Sequence, residues 1–155
     1  MMATESTTDR EIVISRLFDA PREQVFEAWM KPEHLANWWG PDGWTITTDS
    51  IDIRTGGHWK YVMHGPNDLH FANYSEFYEV TPPERMVYRH GADSAATPQD
   101  FQVTVTFEDQ GGKTFLTMKS VFATAEAREL VVREHGAIEG GRQHLAKLAA
   151  YLERM

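Results

Sequence analysis

The chain has 155 residues, 41% hydrophobic and 25% charged, which is enough apolar material for one core and the balance of an ordinary globular domain. A formal net charge of -8 argues against nucleic acid or an anionic membrane surface as partner, because phosphate binding needs clustered Lys and Arg. Cysteine is absent, which removes disulfides, thiol nucleophiles and thiolate metal sites and fits a reducing compartment.

Residues 1–9 are small and polar and are expected to fray. They hold no apolar core for a signal peptide, and no run approaches the roughly 18 apolar residues of a membrane span. No membrane insertion is therefore expected, and the expected compartment is the cytoplasm. A single domain is expected over 10–155, where the pattern REIVISRLF opens as a strand. Pro21 at the first helical position, with Glu23 behind it, starts a helix to about Met30 that buries Val25, Phe26 and Trp29. Pro32 starts a second short helix, closed by Gly40-Pro41.

The period then changes to two. Trp44 to Arg54 alternates, Thr55-Gly56-Gly57 turns, and His58 to His64 continues with Trp59, Tyr61 and Met63 on one face. After a turn at Gly65-Pro66-Asn67-Asp68, Phe71 to Val80 reads as a strand, Pro82-Pro83 breaks it, and Arg85 to His90 is a short one. Gly91 to Pro98 has the composition of a mobile loop. Phe101, Val103, Val105 and Phe107 alternate with polar residues, and a Gly111-Gly112 hairpin leads to a last strand over Thr114 to Phe122. Thr124 is placed to cap a helical piece running to about His135, where Gly136 is a weak point. The final helix spans Ile138 to Arg154, and Ile138, Gly141, Leu145, Leu148 and Leu152 share one of its faces. That face is sparsely filled, because Gly141 and Ala149 sit where larger side chains are expected.

Successive strands joined by short turns imply an antiparallel meander. The α+β order of one strand, two helices, six strands and a helix predicts a seven-stranded antiparallel sheet curved round the long C-terminal helix. The segments DAPREQVFEAWMKPEHLANWWGP, IDIRTGGHW, FYEVTPPERMVY and HLAKLAAYL, in that order, resemble the helix-grip SRPBCC (START-like) superfamily. Within it the chain is similar to the branch homologous to the C-terminal domain of the activator of the ninety-kilodalton heat-shock chaperone's ATPase. The resemblance runs from about Arg10 to Leu152. It implies an apolar cavity between sheet and helix, and a superfamily range from lipid and sterol carriers to polyketide cyclases. Relatives commonly carry a Gly-Trp pair near the start of the long helix where this chain has Gly140-Gly141. The missing indole either enlarges the cavity or lets the helix approach the sheet closely.

The residues themselves identify no catalytic set. His58, His64 and His70 lack a third ligand at a recognisable spacing, so no metal site is expected. His135 and His144 flank the glycine pair without a supporting carboxylate and read as solvated helix histidines. Ser75, Ser94 and Ser120 lie in no nucleophile motif, and no glycine pair has phosphate-loop spacing. Asp52 and Arg54 fall on one strand face as a salt bridge, while Glu76 or Glu79 is the candidate inward carboxylate beside a bulge. Trp38, Trp39, Trp44 and Trp59 form either a cavity wall or a packed corner.

The favoured expectation is a cavity for a small apolar ligand, with no cofactor and no metal. Its predicted lining is Trp38, Trp59, Tyr61, Met63, Phe101, Val103, Leu116, Met118, Ile138, Gly141, Leu145 and Leu148. The alternatives are a regulatory module acting on a heat-shock chaperone, as the resemblance implies, and a cyclase- or hydrolase-type enzyme using the same cavity.

Overall fold

Alternation of apolar and polar side chains draws seven strands into one antiparallel sheet, and the helices then have a single apolar face to cover. The computed structural model describes residues 7–155. Strand β1 is Glu11–Phe18, followed by helices α1 (Arg22–Ala28) and α2 (Pro32–Trp38). Strands β2 (Thr45–Asp52), β3 (His58–His64), β4 (His70–Thr81), β5 (Arg85–Gly91), β6 (Phe101–Gln110) and β7 (Lys113–Phe122) then run as a meander. Helices α3 (Ala125–His135) and α4 (Ala137–Leu152) complete the chain. The sheet order β1-β7-β6-β5-β4-β3-β2 leaves β1 and β2 as its edges. This is the helix-grip architecture expected from the sequence. The fraying expected for 1–9 falls, over 1–6, outside the described residues; Thr8–Arg10 form a 3-10 turn.

Two elements differ in detail from the expectation. The predicted helix from Pro21 begins one residue later, because Pro21 is extended and serves as the N-cap. The loop after β5 is not loose. Nη2 of Arg89 donates to the carbonyl of Ser94 at 3.0 Å, and Nη1 of Arg89 donates to Asp100 at 2.6 Å. Asp100 in turn accepts from the backbone and hydroxyl of Thr97. Composition alone gave no sign of this, because the anchor is an arginine on the preceding strand. No helix among the described residues is long and apolar enough to cross a membrane.

The core lies between sheet and helices. Phe26 of α1 and Trp29 at its C-cap meet Phe107 of β6 with ring centroids 4.7 and 6.0 Å away, and Leu116, Leu145 and Leu148 are 1% exposed or less. Loop 40–44 is stitched to α4. The Gly40 N–H donates to Nδ1 of His144 at 2.9 Å, and the Asp42 N–H donates to Gln143 at 3.1 Å. The Lys147 ammonium reaches the carbonyls of Pro41 and Trp44.

Gly136 separates the two C-terminal helices in the left-handed region (φ 58, ψ 41), capping α3 and starting α4. The glycine pair in α4 divides into two environments. A Cβ on Gly141 would meet the δ-methyl of Ile14 at 2.2 Å, so this glycine admits a close approach of β1 to the helix. A Cβ on Gly140 would meet only Pro41, at 3.7 Å. Gly140→Ala is therefore expected to raise stability by about 0.5–1 kcal/mol through helix propensity. Gly141→Ala, which shares that gain, should fall up to about 1 kcal/mol below it, because the Ile14 δ-methyl must turn aside into the neighbouring cavity. Adding Ile14→Val, which removes the offending methyl, should close the gap; urea unfolding of the three variants would show otherwise if the gap persisted.

Candidate functional site

A cavity of about 340 Å³ opens at one end of the grip, where β6 begins and β7 ends. That is near the lower end of the roughly 300–1,000 Å³ of small-molecule pockets. Inner side chains of β1, β3, β5, β6 and β7 form one wall and the junction of α3 with α4 forms the other. The opposite end of the grip is solid, because α1 and α2 fill it with Phe26, Trp29, Leu35 and Trp38.

That division sorts the twelve residues expected to line a pocket. Tyr61, Met63, Phe101, Met118 and Gly141 do line the cavity. Trp38, Trp59, Val103, Leu116, Leu145 and Leu148 lie in the packed core instead, and Ile138 packs against it partly buried. Helical periodicity identifies which face of α4 points inward, but not how far along that face the aromatic residues of α1 and α2 reach. Leu152, also on that face, is core as well. The tryptophans divide similarly. Trp38 donates to the Ala28 carbonyl, Trp59 stacks behind Tyr61 at 3.9 Å, Trp44 stacks on Phe71 at 5.6 Å, and only Trp39 reaches the cavity.

Several lining residues were not expected from the sequence, among them His90, His144, Tyr88 and Ser120. The alternation of β5 places Tyr88 and His90 on the same face, a signal weakened by how short that strand is. His144 reads as a helix-surface residue, yet it is 8% exposed. It is enclosed by Trp29, Trp38 and Trp39, whose ring centroids lie 6.0, 4.8 and 4.5 Å away. Burial, with the nearby Lys147 charge adding to it, pushes its pKa down to about 3. His90 is half-buried against Phe101 and its pKa is pushed down to about 4, chiefly by burial, with Asp100 opposing and Arg89 assisting. Burial also raises the phenol pKa of Tyr61 and of Tyr88 well above the ordinary value. The ionisable groups of the inner cavity are thus neutral at physiological pH. His135, at the mouth, is exposed.

The other candidates fall outside the cavity. Glu76 and Glu79 are half-exposed and pair with Arg89 and Arg85 at 3.7 and 3.3 Å on either side of a bulge in β4, so neither supplies an inward carboxylate. Arg54 and Asp52 pair at 2.7 Å on the surface. His64 and His70 do face each other across their hairpin, with Nδ1 atoms 2.7 Å apart. Among the described residues no cluster of three His, Cys, Asp or Glu side chains could hold a metal.

Neutral burial of His90 and His144 sets a pH dependence. Both pKa values are depressed below the roughly 6.5 of an unfolded histidine, so below that pH the unfolded chain binds more protons. Stability should therefore fall as pH drops from about 6.5 towards about 4, by up to ~1.4 kcal/mol per pH unit for each histidine. His90→Phe should roughly halve that slope between about pH 6 and 5 in urea titrations. An unchanged slope would contradict the buried neutral assignment of His90.

Comparison with known proteins places this geometry. The family described as activator of Hsp90 ATPase homolog 1-like protein matches over residues 19–153. No curated protein matches the chain. A Mycobacterium smegmatis protein of known structure is 28% identical, with a TM-score of 0.84 covering 99% of this chain and 98% of that one. One from Arthrobacter aurescens is 26% identical, with a TM-score of 0.86 covering 98% and 91%. The AHSA1 protein from Silicibacter pomeroyi, 24% identical with a TM-score of 0.74 over 93% and 98%, shares the fold. The chain belongs to the activator of Hsp90 ATPase homolog 1-like family.

Proposed function

We propose that this protein binds a small, mainly apolar molecule in the cavity between the inner sheet face and the α3–α4 junction, as a carrier or ligand-responsive module of the cytoplasm. The cavity itself carries the reading: its wall is built from Ile12, Ile14, Met63, Phe101, Met118 and Phe122, with few polar atoms among them. Burying a ligand against such a surface supplies roughly 25 cal/mol per Å² of apolar area, with the polar atoms left to set orientation. Family membership supports ligand binding or regulation in general terms. The absence of cysteine fits a reducing compartment.

A catalytic use of the cavity has less support. No carboxylate lines it, and imidazoles with pKa values pushed to about 3 and 4 are poor proton acceptors near neutrality. A heat-shock chaperone is the second partner reading, and family membership is the observation that favours it. Stimulation of a chaperone ATPase by the purified chain would establish that reading, and no binding at micromolar concentration would remove it.

Titration with a panel of lipids, aromatics and polyketides, followed by NMR, is expected to shift Tyr61, Met63, Phe101, Met118 and the Trp39 indole N–H together. Ser120→Phe, which fills the cavity from β7, should weaken any such ligand at least about tenfold. No coherent shift with any class, or full affinity in the filled variant, would overturn the proposal.

A further inference from the structure

The apolar wall contains a set of hydrogen-bond donors that the protein does not use. His144 is 8% exposed, Tyr61 1% and Tyr88 4%, and all three line the cavity. Nδ1 of His144 accepts the Gly40 N–H at 2.9 Å, which leaves the ring proton on Nε2 as a donor. Among the described residues nothing accepts that proton, and Nε2 is not sealed into the core. The Tyr61 oxygen accepts from Nε1 of Trp39 at 3.1 Å, so its own hydroxyl proton remains unspent. The Tyr88 hydroxyl has no hydrogen-bond partner among the described residues, and the Tyr61 phenol lies near enough to add to the upward shift that burial gives Tyr88.

These donors occupy one region of the wall. Trp39 adjoins two of them, its ring centroid 4.5 Å from His144 and 6.2 Å from Tyr61. No carboxylate, lysine or arginine lines the cavity. The Lys147 ammonium, close enough to act on His144, is turned to the carbonyls of Pro41 and Trp44 at 3.3 and 3.4 Å. A charged group brought inside would lose its water without gaining a counter-charge. A pure hydrocarbon would seal these three donors away from water and leave them unsatisfied, along with the His90 imidazole and the Ser120 hydroxyl, which also line the cavity without a side-chain partner among the described residues.

We infer that the cavity selects an electrically neutral, mainly apolar molecule carrying an acceptor oxygen, such as a ketone, ester or ether, which takes hydrogen bonds from Nε2–H of His144 and the hydroxyls of Tyr61 and Tyr88. The inference rests on the cavity being a ligand site and adds to it the chemical class of the ligand. His144, Tyr61 and Tyr88 are then the residues that set specificity, and the aliphatic wall supplies the affinity.

Three probes of nearly one shape test this: benzophenone, diphenylmethane, which lacks the oxygen, and 4-benzoylbenzoate, which adds a negative charge. Calorimetric titration of the intact chain should rank benzophenone at least about tenfold above diphenylmethane, and 4-benzoylbenzoate below benzophenone. Tyr88→Phe breaks no hydrogen bond among the described residues, so its fold should persist, and it should cut the ketone-to-hydrocarbon ratio about 3- to 10-fold, by weakening benzophenone, by tightening diphenylmethane as one unsatisfied donor is removed, or by both. Tyr61→Phe should act in the same direction, with a shift of the Trp39 indole N–H as its signature; if that variant does not fold, Tyr88→Phe decides alone. Equal binding of ketone and hydrocarbon, tighter binding of the carboxylate, or an unchanged ratio in Tyr88→Phe would each overturn the donor assignment while leaving the cavity a ligand site. Failure of all three probes to bind the unmodified chain would overturn both.

Discussion

The hydrogen bond from the Gly40 N–H to Nδ1 of His144 connects chain segments 104 residues apart at the centre of the molecule. It joins the end of the two-helix corner to the middle of the last helix, inside a cage of three tryptophans. A buried imidazole without a partner would cost about 1–3 kcal/mol, and so would a buried backbone N–H. Each satisfies the other, and the pairing fixes which way the ring faces. The same bond that positions α4 therefore settles the tautomer of His144 and turns Nε2–H away from the backbone. The links from Asp42 to Gln143 and from Lys147 to Pro41 and Trp44 hold the rest of loop 40–44 along the same stretch of helix.

From that fixed point the inward face of α4 divides. C-terminal to His144, Leu145, Leu148 and Leu152 enter a core already dense with the rings of α1 and α2. N-terminal to it, Ala137, Gly140 and Gly141 present little side-chain volume, and α3 contributes no buried residue. The left-handed turn at Gly136 lets the chain change direction there, so that α3 lies over the opening through Val131 and His135. Space collects at this end because nothing large is directed into it. Even so, the space is partly taken up. Ile14 reaches to the backbone at Gly141, so a glycine that looks like a vacancy in the sequence is a contact in the fold.

The fold was legible because its signals are periodic and local: alternation in Phe101 to Phe107, proline and glycine at the corners, and motifs spread over the whole chain. The inward face of α4 was legible for the same reason. The cavity's position along that face was not, since it depends on which distant rings fill the other end. Phe26 and Trp29 share one core cluster with Leu145 and Leu148, an association that no spacing rule encodes. The burial of His144 is hidden from the sequence for a related reason. Its neighbour Leu145 marks the helix face, and only the backbone of Gly40, far away in the chain, makes its burial tolerable. The tether of loop 91–100 also depends on a long-range partner, Arg89.

Strand alternation accounts for a cavity that holds titratable residues but no charge. On β5, Arg89 points to the outer face, where it is 7% exposed and its side chain pairs with Asp100. Its neighbours Tyr88 and His90 point inward. A period of two thus places a buried ion pair and a neutral polar wall back to back on consecutive residues, with the sheet between them. The charges are satisfied within the outer layer by Asp100 and by the loop carbonyls that Arg89 ties down. The inner groups, cut off from water, remain in their uncharged forms, and a neutral imidazole and a phenol keep their donor protons under those conditions. The segregation that keeps the sheet stable is therefore what equips the cavity to recognise a molecule by hydrogen bonds alone.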